Sequence, residues 1–254
     1  MQFKRHHQAK LRLFCFPYAG GSAGLFEPWG SAFEGVDVVA VQLPGRSSRI
    51  NEKPLESMAE IVTQLIGELR CFRDLPFVFF GHSNGALVCF ELARELQRRG
   101  IHGLEHIILS AKRAPHLPRL RPKTYDLPYD DFIEELRAIN GTPEAMLSNK
   151  KLMDLFVPIL RADFKVSETH TYCADIKLRS AASIFWGRLD RDIPEVDIQA
   201  WQADIESKDI EYLEFSGDHF FIHSQQQLVI EKVRKILGGL SSGRVARDRR
   251  EAAV

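Results

Sequence analysis

A serine between two glycines carries the strongest chemical signal in this sequence. Ser83 stands in Gly81-His82-Ser83-Asn84-Gly85, directly after a short apolar run and directly before a helical pattern. A strand that turns sharply into a helix at such a serine exposes the hydroxyl, and the glycines let strand and helix approach closely. The N-terminus of the helix also favours negative charge beside the serine. The pentapeptide predicts that Ser83 is a nucleophile; the alternative is an ordinary glycine-rich turn.

A nucleophilic serine needs a base, and the base needs a carboxylate that orients it. Two later turns supply these groups, each after an apolar run that predicts a strand. The first turn is Gly187-Arg188-Leu189-Asp190, and the second is Ser216-Gly217-Asp218-His219-Phe220-Phe221. Catalytic groups commonly lie at the carboxyl ends of parallel strands. The sequence therefore predicts Asp190 as the orienting carboxylate and His219 as the base.

Two neighbours compete for these roles. Asp192 lies two residues after Asp190, and both carboxylates could face the site. His223 follows His219 by about one helical turn. We favour Asp190 because it ends the tight turn, and His219 because it lies in the glycine-containing loop.

Two further titratable residues are interpreted as structural. His82 lies inside the pentapeptide, but side chains alternate along a strand, so its ring should point away from Ser83. Asp163 lies in a helical pattern, where we expect it to pair with a neighbouring cation such as Arg161.

Two backbone N–H groups are needed to stabilise a tetrahedral oxyanion. One is expected from Asn84, the residue after the nucleophile. The other is expected from the loop Phe16-Pro17-Tyr18-Ala19-Gly20-Gly21-Ser22, which follows an early predicted strand, with Ala19 as the donor. A phosphate-binding loop is the alternative interpretation of the paired glycines, but the lysine of such a loop is missing.

Short apolar runs alternate with amphipathic helical patterns along most of the chain. This alternation predicts an α/β fold with a mostly parallel sheet and helices on both faces. The predicted strands are Leu11 to Phe16, Val36 to Leu43, Phe77 to Phe80, His106 to Ser110, Ala182 to Trp186 and Ile210 to Phe215, and the predicted helices are Ser57 to Arg70, Ala86 to Arg99 and Leu228 to Leu237.

Two regions interrupt the alternation. Residues 113–175 contain no convincing strand pattern, so we expect a helical lid inserted between two strands of a single domain that spans residues 1–237. Residues 238–254 contain few apolar residues, which predicts a disordered C-terminal tail.

Composition excludes several classes of protein. The 34 basic and 34 acidic residues balance, so nothing in the overall charge suggests nucleic-acid binding. No apolar stretch approaches the roughly 20 residues of a membrane span, and Met1 to Lys10 lacks the apolar core of a signal peptide. The four cysteines are widely spaced, and Cys15 and Cys89 lie in apolar segments, as in a cytoplasmic protein with reduced thiols. No residues have the spacing of metal ligands, so we expect no metal.

Several sequence blocks together resemble the type II thioesterases, over about residues 11–237. These proteins are stand-alone α/β-hydrolases encoded with polyketide synthases and nonribosomal peptide synthetases. The blocks are Phe16 to Ala23, Leu43-Pro44-Gly45-Arg46, Phe80-Gly81-His82-Ser83, Leu136-Arg137-Ala138 with Gly141-Thr142-Pro143, Pro158 to Phe164, and Gly217-Asp218-His219-Phe220-Phe221.

The resemblance implies an α/β-hydrolase fold and hydrolysis of acyl or aminoacyl thioesters on the phosphopantetheine arm of carrier proteins. It implies Ser83 as nucleophile, His219 as base, Asp190 as its partner, and the amides of Ala19 and Asn84 as the oxyanion hole. No cofactor is expected, and we expect a monomer. One departure concerns substrate choice, because the family commonly has Met where this chain has Asn84.

Other functions share this pattern of residues. A chain-releasing cyclase or an acyltransferase would use the same three catalytic groups but pass the acyl group to a different acceptor. A generic esterase would act on small oxygen esters. A scaffold without catalytic activity would only dock onto a synthase, although the intact serine, aspartate and histidine argue against this.

A basic run lies at the entry of the predicted lid. Carrier proteins in the pathways of this family expose an acidic helix, so we expect the run to attract the carrier. The alternative is that the run neutralises the acidic stretch Asp126 to Glu135. The basic residues are Lys112, Arg113, Arg119, Arg121 and Lys123.

Overall fold

A seven-stranded sheet forms the centre of the computed structural model, which describes residues 2–4, 8–69 and 74–251, with side chains in 8–69 and 74–242. The strand order is β1-β3-β2-β4-β5-β6-β7. Strand β1 is antiparallel to β3, and the other neighbouring pairs are parallel. The strands are β1 (Gln2–Lys4), β2 (Leu11–Phe16), β3 (Val36–Ala40), β4 (Phe77–His82), β5 (Leu104–Ser110), β6 (Ala181–Gly187) and β7 (Ile210–Phe215).

Helices connect the strands. The α-helices are α1 (Met58–Leu69), α2 (Asn84–Arg98), α3 (Tyr129–Ile139), α4 (Glu144–Leu147), α5 (Lys150–Thr169), α6 (Phe221–Ser224) and α7 (Gln226–Glu251). Short 3₁₀ helices occupy Ala23–Ser31, Ser47–Arg49 and Glu195–Ala203. No helix of the described residues combines the length and the apolar character that a membrane crossing requires.

The predicted strands correspond to β2 through β7. The bounds of β2 and β7 are those predicted, whereas β3 ends at Ala40 rather than at Leu43. The sequence did not indicate β1, because an edge strand can be held by backbone hydrogen bonds to its neighbour without an apolar pattern.

The predicted helices correspond to α1, α2 and α7 with shifted ends. Arg70, at the end of the first predicted helix, and Cys71 lie outside the described residues. A disordered tail is predicted from residue 238, but the structure continues α7 to Glu251. Leu240 packs against the core, and the later part of the stretch contains four Arg with Ala and Glu, residues of high helix propensity.

Burial on both faces of the sheet explains the apolar runs. Every residue of β2 and β4 is buried, and aromatic rings interlock between them, with Phe79 making edge-to-face contacts to Phe14 and Phe16 at 5.8 and 5.4 Å. Cys15 and Cys89 are buried free thiols within this core. The rigid sheet holds the carboxyl ends of β2, β4, β6 and β7 at one edge, where the predicted catalytic groups follow.

The segment between β5 and β6 forms the three helices α3, α4 and α5. Their apolar side chains form a second hydrophobic cluster that includes Phe132, Leu136, Met153, Val157 and Leu160. This segment corresponds to the predicted helical insertion, and it covers the carboxyl edge of the sheet at the cavity described below.

Candidate active site

Ser83 occupies a strained turn between β4 and α2. Its φ of +54° and ψ of −114° lie in a region that residues with side chains seldom adopt. The close approach of strand and helix explains both flanking glycines. A Cβ atom on Gly81 would lie 2.3 Å from the carbonyl oxygen of Gly85, and one on Gly85 would lie 2.2 Å from that of Phe16.

Three side chains form a continuous hydrogen-bonded series. His219 Nε2 lies 2.8 Å from Ser83 Oγ, and His219 Nδ1 lies 2.7 Å from Asp190 Oδ2. Because a carboxylate only accepts, Nδ1 carries the proton, and Nε2 can then accept the proton of the Ser83 hydroxyl. The structure thus brings together the predicted nucleophile, base and acid from the turns after β4, β7 and β6.

The two candidate acids have different surroundings. Asp190 is buried, and its second oxygen accepts a hydrogen bond from the backbone N–H of Asp192 at 2.9 Å, which fixes the carboxylate plane. The Asp192 carboxylate instead pairs with Arg121 at 2.7 Å. Ligand atoms of Asp190, Asp192 and His219 lie within 4.8 Å of one another, as in a metal site. Their hydrogen bonds already account for this proximity.

His82 has a structural role, and its ring contacts the loop that carries the base His219. Its ring is fully buried, and this desolvation holds its pKa well below the ordinary value, so it stays neutral. Nε2 donates to the backbone carbonyl of His219 at 2.8 Å, and Nδ1 accepts from the Ser110 hydroxyl at 2.8 Å. The sequence analysis assigned His82 a structural role but did not indicate its contact with the loop that carries the base.

The competing histidine contacts a different group. His223 Nε2 lies 2.9 Å from the hydroxyl of Tyr18, in the loop after β2. Partial burial lowers the pKa of His223. Its position supports that loop and leaves the contact with Ser83 to His219.

Ala19 and Asn84 line the same cavity as Ser83. Asn84 is the first residue of α2, where a backbone N–H has no acceptor within the helix. Among the described residues, the backbone N–H of Ala19 and that of Asn84 donate to no acceptor. Both donors are therefore available to an oxyanion at Ser83.

Asp163 connects the two segments that carry these donors. It lies on α5, is buried, and forms a bidentate pair with Arg46 at 2.6 and 2.8 Å. The same carboxylate accepts the N–H of Gly20 at 2.7 Å, and the carbonyl oxygen of Asp163 accepts from Asn84 Nδ2 at 3.0 Å. The expected pair with Arg161 is wrong, because that side chain donates to two backbone carbonyls of the segment before α3.

The cavity above Ser83 measures about 610 Å³ and extends under the inserted helices. Apolar side chains form much of its wall, among them Leu87, Leu136, Ile139, Leu160 and Phe164. Its size and its mixed apolar and polar lining suit a small organic group held beside Ser83.

Four residues of the basic run line this cavity, and Lys123 is exposed outside it. Three of the four form ion pairs with acids outside the stretch 126–135, so the alternative that the run neutralises that stretch has no support from these pairs. The pairs are Arg113–Asp197 at 2.7 Å, Arg119–Glu168 at 3.5 Å and Arg121–Asp192 at 2.7 Å.

Comparison with known proteins agrees with this geometry. Residues 11–237 match the family model described as the thioesterase domain. The chain is 37% identical over 230 residues to the gramicidin S biosynthesis protein GrsT of Aneurinibacillus migulanus, covering 90% of each protein.

Two solved structures share the fold. The type II thioesterase BorB from the borrelidin biosynthetic cluster is 33% identical with a TM-score of 0.82, over 92% of this chain and 96% of that one. ClbQ from the colibactin pathway is 26% identical with a TM-score of 0.86, over 92% and 99%. The predicted α/β-hydrolase fold is confirmed.

Proposed function

The chain belongs to the thioesterase domain family and is a thioester hydrolase, and on that premise we propose that it clears carrier proteins of stalled or aberrant acyl groups. The substrates are acyl or aminoacyl thioesters on the phosphopantetheine arm of carrier domains in polyketide or nonribosomal peptide synthesis. The proposal is carried by the hydrogen-bonded series Ser83–His219–Asp190, which opens on a cavity wide enough for an acyl chain.

Acylation begins when His219 Nε2 takes the hydroxyl proton of Ser83 and the serine oxygen bonds to the thioester carbon. The carbonyl oxygen becomes an oxyanion, which the N–H groups of Ala19 and Asn84 stabilise. When this intermediate collapses, the carbon–sulfur bond breaks and the proton on His219 passes to the thiol. The acyl group is then an ester of Ser83.

Deacylation repeats these steps with water. His219 removes a proton from water, the hydroxide adds to the ester carbon, and the Ser83 oxygen leaves with the proton that His219 returns. Asp190 keeps Nδ1 protonated and stabilises the imidazolium that forms in each step. Every group used is a side chain, a backbone amide or water, so we propose that no metal or organic cofactor takes part.

We propose an acidic carrier domain as the partner, with the protein acting as a monomer in the cytoplasm. Lys123 is the clearest probe for docking, because it is exposed and lies outside the cavity, whereas Arg119 and Arg121 also hold acids near the site. Lys123→Glu should raise KM for an acyl-carrier substrate and leave a small acyl thioester unaffected. Lys208→Glu, before the amino end of β7, is the matched control.

The test of the function is hydrolysis of a panel of acyl-loaded carrier proteins, with the products identified by mass spectrometry. Ser83→Ala should lose roughly 10⁴- to 10⁶-fold in turnover and all labelling by a fluorophosphonate. Combining it with His219→Ala should add little, because the three groups act as a unit. Activity within about tenfold of wild type would reject Ser83 as the nucleophile.

The products also separate the alternatives. Only hydrolysis releases a free linear acid, so a cyclic product or a transferred acyl group would identify a cyclase or an acyltransferase. Preference for oxygen esters over matched thioesters would identify a generic esterase. Binding to carriers without labelling by the fluorophosphonate would identify a scaffold.

A further inference from the structure

Lys112 lies in the wall of the cavity and has no anionic partner among the side chains that the structure describes. The three arginines that line the cavity with it each pair with a carboxylate. Over the described side chains, no acceptor lies within hydrogen-bonding or ion-pair distance of Lys112 Nζ. The Lys112 side chain is partly buried, so its charge has lost part of its contact with bulk water.

The backbone places Lys112 close to the reacting centre. The N–H of Ser83 donates to the carbonyl of Ser110 at 2.7 Å, and Lys112 follows Ser110 by two residues, a span of at most about 7 Å. The indole N–H of Trp201, a fully buried side chain, donates to the carbonyl of Lys112 at 2.9 Å and anchors it. Lys112 is thus held close to Ser83, where the thioester reacts, whereas the phosphate of a carrier arm lies at the far end of that arm.

The charge state of Lys112 suits an anionic ligand. Burial, and secondarily Arg119 and Arg113, lower its pKa to about 8, so about nine molecules in ten carry the charge at pH 7. A partly desolvated ammonium without a counter-ion is unfavourable, and a bound carboxylate would offset that cost. Asp192 and Glu168 act on Lys112 from a distance, but each is already paired with an arginine.

We propose that Lys112 binds a carboxylate of the acyl group, so that the preferred substrates are carboxyacyl thioesters, whose acyl chains carry a second carboxylate. The inference rests on the proposed thioester hydrolysis at Ser83. The apolar wall around Leu87 and Ile139 accommodates the methylene groups between the thioester and this carboxylate.

Matched pairs of N-acetylcysteamine thioesters test the proposal, because this thiol carries no phosphate of its own. The pairs are malonyl with propionyl, succinyl with butyryl, and glutaryl with pentanoyl, each differing by a carboxylate in place of a methyl group. For at least one pair, wild-type kcat/KM should favour the carboxyacyl member by about tenfold or more, consistent with one charge-assisted contact. Lys112→Met should remove this preference and leave the neutral member within about threefold.

Two further variants sharpen the result. Lys112→Arg keeps the charge and should keep the preference for the carboxyacyl member. Lys208→Met removes an exposed lysine outside the cavity and should change neither member of a pair. If Lys112→Met does not fold, the wild-type discrimination and the Lys112→Arg variant decide the question.

The outcomes distinguish the inference from the function on which it rests. Wild-type hydrolysis that favours the neutral member of all three pairs, or shows no preference, overturns the role of Lys112 and leaves thioester hydrolysis intact. An equal loss on both members in Lys112→Met also overturns it, because the lysine then supports only the cavity wall. Failure to hydrolyse any thioester, on carriers or on the small thiol, would instead reject the proposed function.

Discussion

Replacing Asp163 with asparagine removes one charge from a buried ion pair and weakens the acceptor of the Gly20 N–H. The side chains of Arg46 and Asp163 are only 4% and 3% exposed. Neutralising one partner leaves the other charge buried and uncompensated, which costs about 3–5 kcal/mol. The free energy of unfolding of native proteins is only about 5–15 kcal/mol, so Asp163→Asn should remove a large fraction of it.

The stability assay is urea denaturation followed by circular dichroism. The matched control is Asp154→Asn, because Lys150 and Asp154 form a pair whose side chains are 76% and 52% exposed. An exposed pair of this type contributes less than about 1 kcal/mol. If Asp163→Asn unfolds no more easily than Asp154→Asn, the energetic role assigned to the buried pair is wrong.

Catalysis provides a second, separable measurement. The Asp163 carboxylate holds Gly20, the neighbour of the predicted oxyanion donor Ala19. Complete loss of one oxyanion donor reduces kcat by about 10²–10³, so a loosened loop should reduce it by about 10- to 100-fold. The measurement is kcat on a small acyl thioester, in conditions where the variant remains folded.

A double variant separates stability from positioning. Arg46→Met with Asp163→Leu removes both charges, which for buried pairs is often neutral for stability. It also leaves the Gly20 N–H without its carboxylate, so kcat should stay low while the free energy of unfolding recovers. Recovery of both quantities together would refute the positioning role of Asp163.

Three other predictions follow from the site and the core. Asp190→Asn should reduce kcat by about 10⁴-fold and Asp192→Asn by less than tenfold, since only Asp190 contacts the base; the reverse order in steady-state kinetics would transfer the role. His223→Ala should keep kcat within about tenfold, and a loss like that of a catalytic residue would contradict its assignment. Burial lowers the pKa of His106 to about 4, so between pH 6.5 and 4 this histidine binds a proton in the unfolded chain but not in the folded protein. As the pH is lowered over this range, His106 should therefore reduce the free energy of unfolding by about 1.4 kcal/mol per pH unit. Urea denaturation of His106→Asn should show a smaller loss of stability over the same pH range.

Local features of the sequence predicted the parts of the site that neighbouring residues determine. The turn at Ser83 depends on five adjacent residues, because two glycines and the junction of strand and helix lie within them. The strands that precede Ala19 and Asp190 are visible as apolar runs, because strands buried on both faces need apolar side chains throughout. The strand before His219, β7, lies at the edge of the sheet and has exposed glutamates between its apolar residues. Parallel strands bring their carboxyl ends to one edge, so the catalytic loops could be expected to meet there.

Spacing along the chain could not determine which side chains meet inside the folded protein. The partner of Asp163 is Arg46, 117 residues away, rather than the nearby Arg161. The choice of Asp190 over Asp192 depends on the direction in which each carboxylate leaves its turn, which the surrounding hydrogen bonds set.

The sequence by itself determined the nucleophile, the order of the three catalytic groups and the α/β class, because these depend on local turns and on burial patterns. Only the tertiary structure decided which cations of the basic run have partners and that Lys112 has none among the described residues. An ion pair depends on the distance between two side chains in space. That distance is set by the packing of loops and helices on the sheet, so it cannot be predicted from the composition of a charged run.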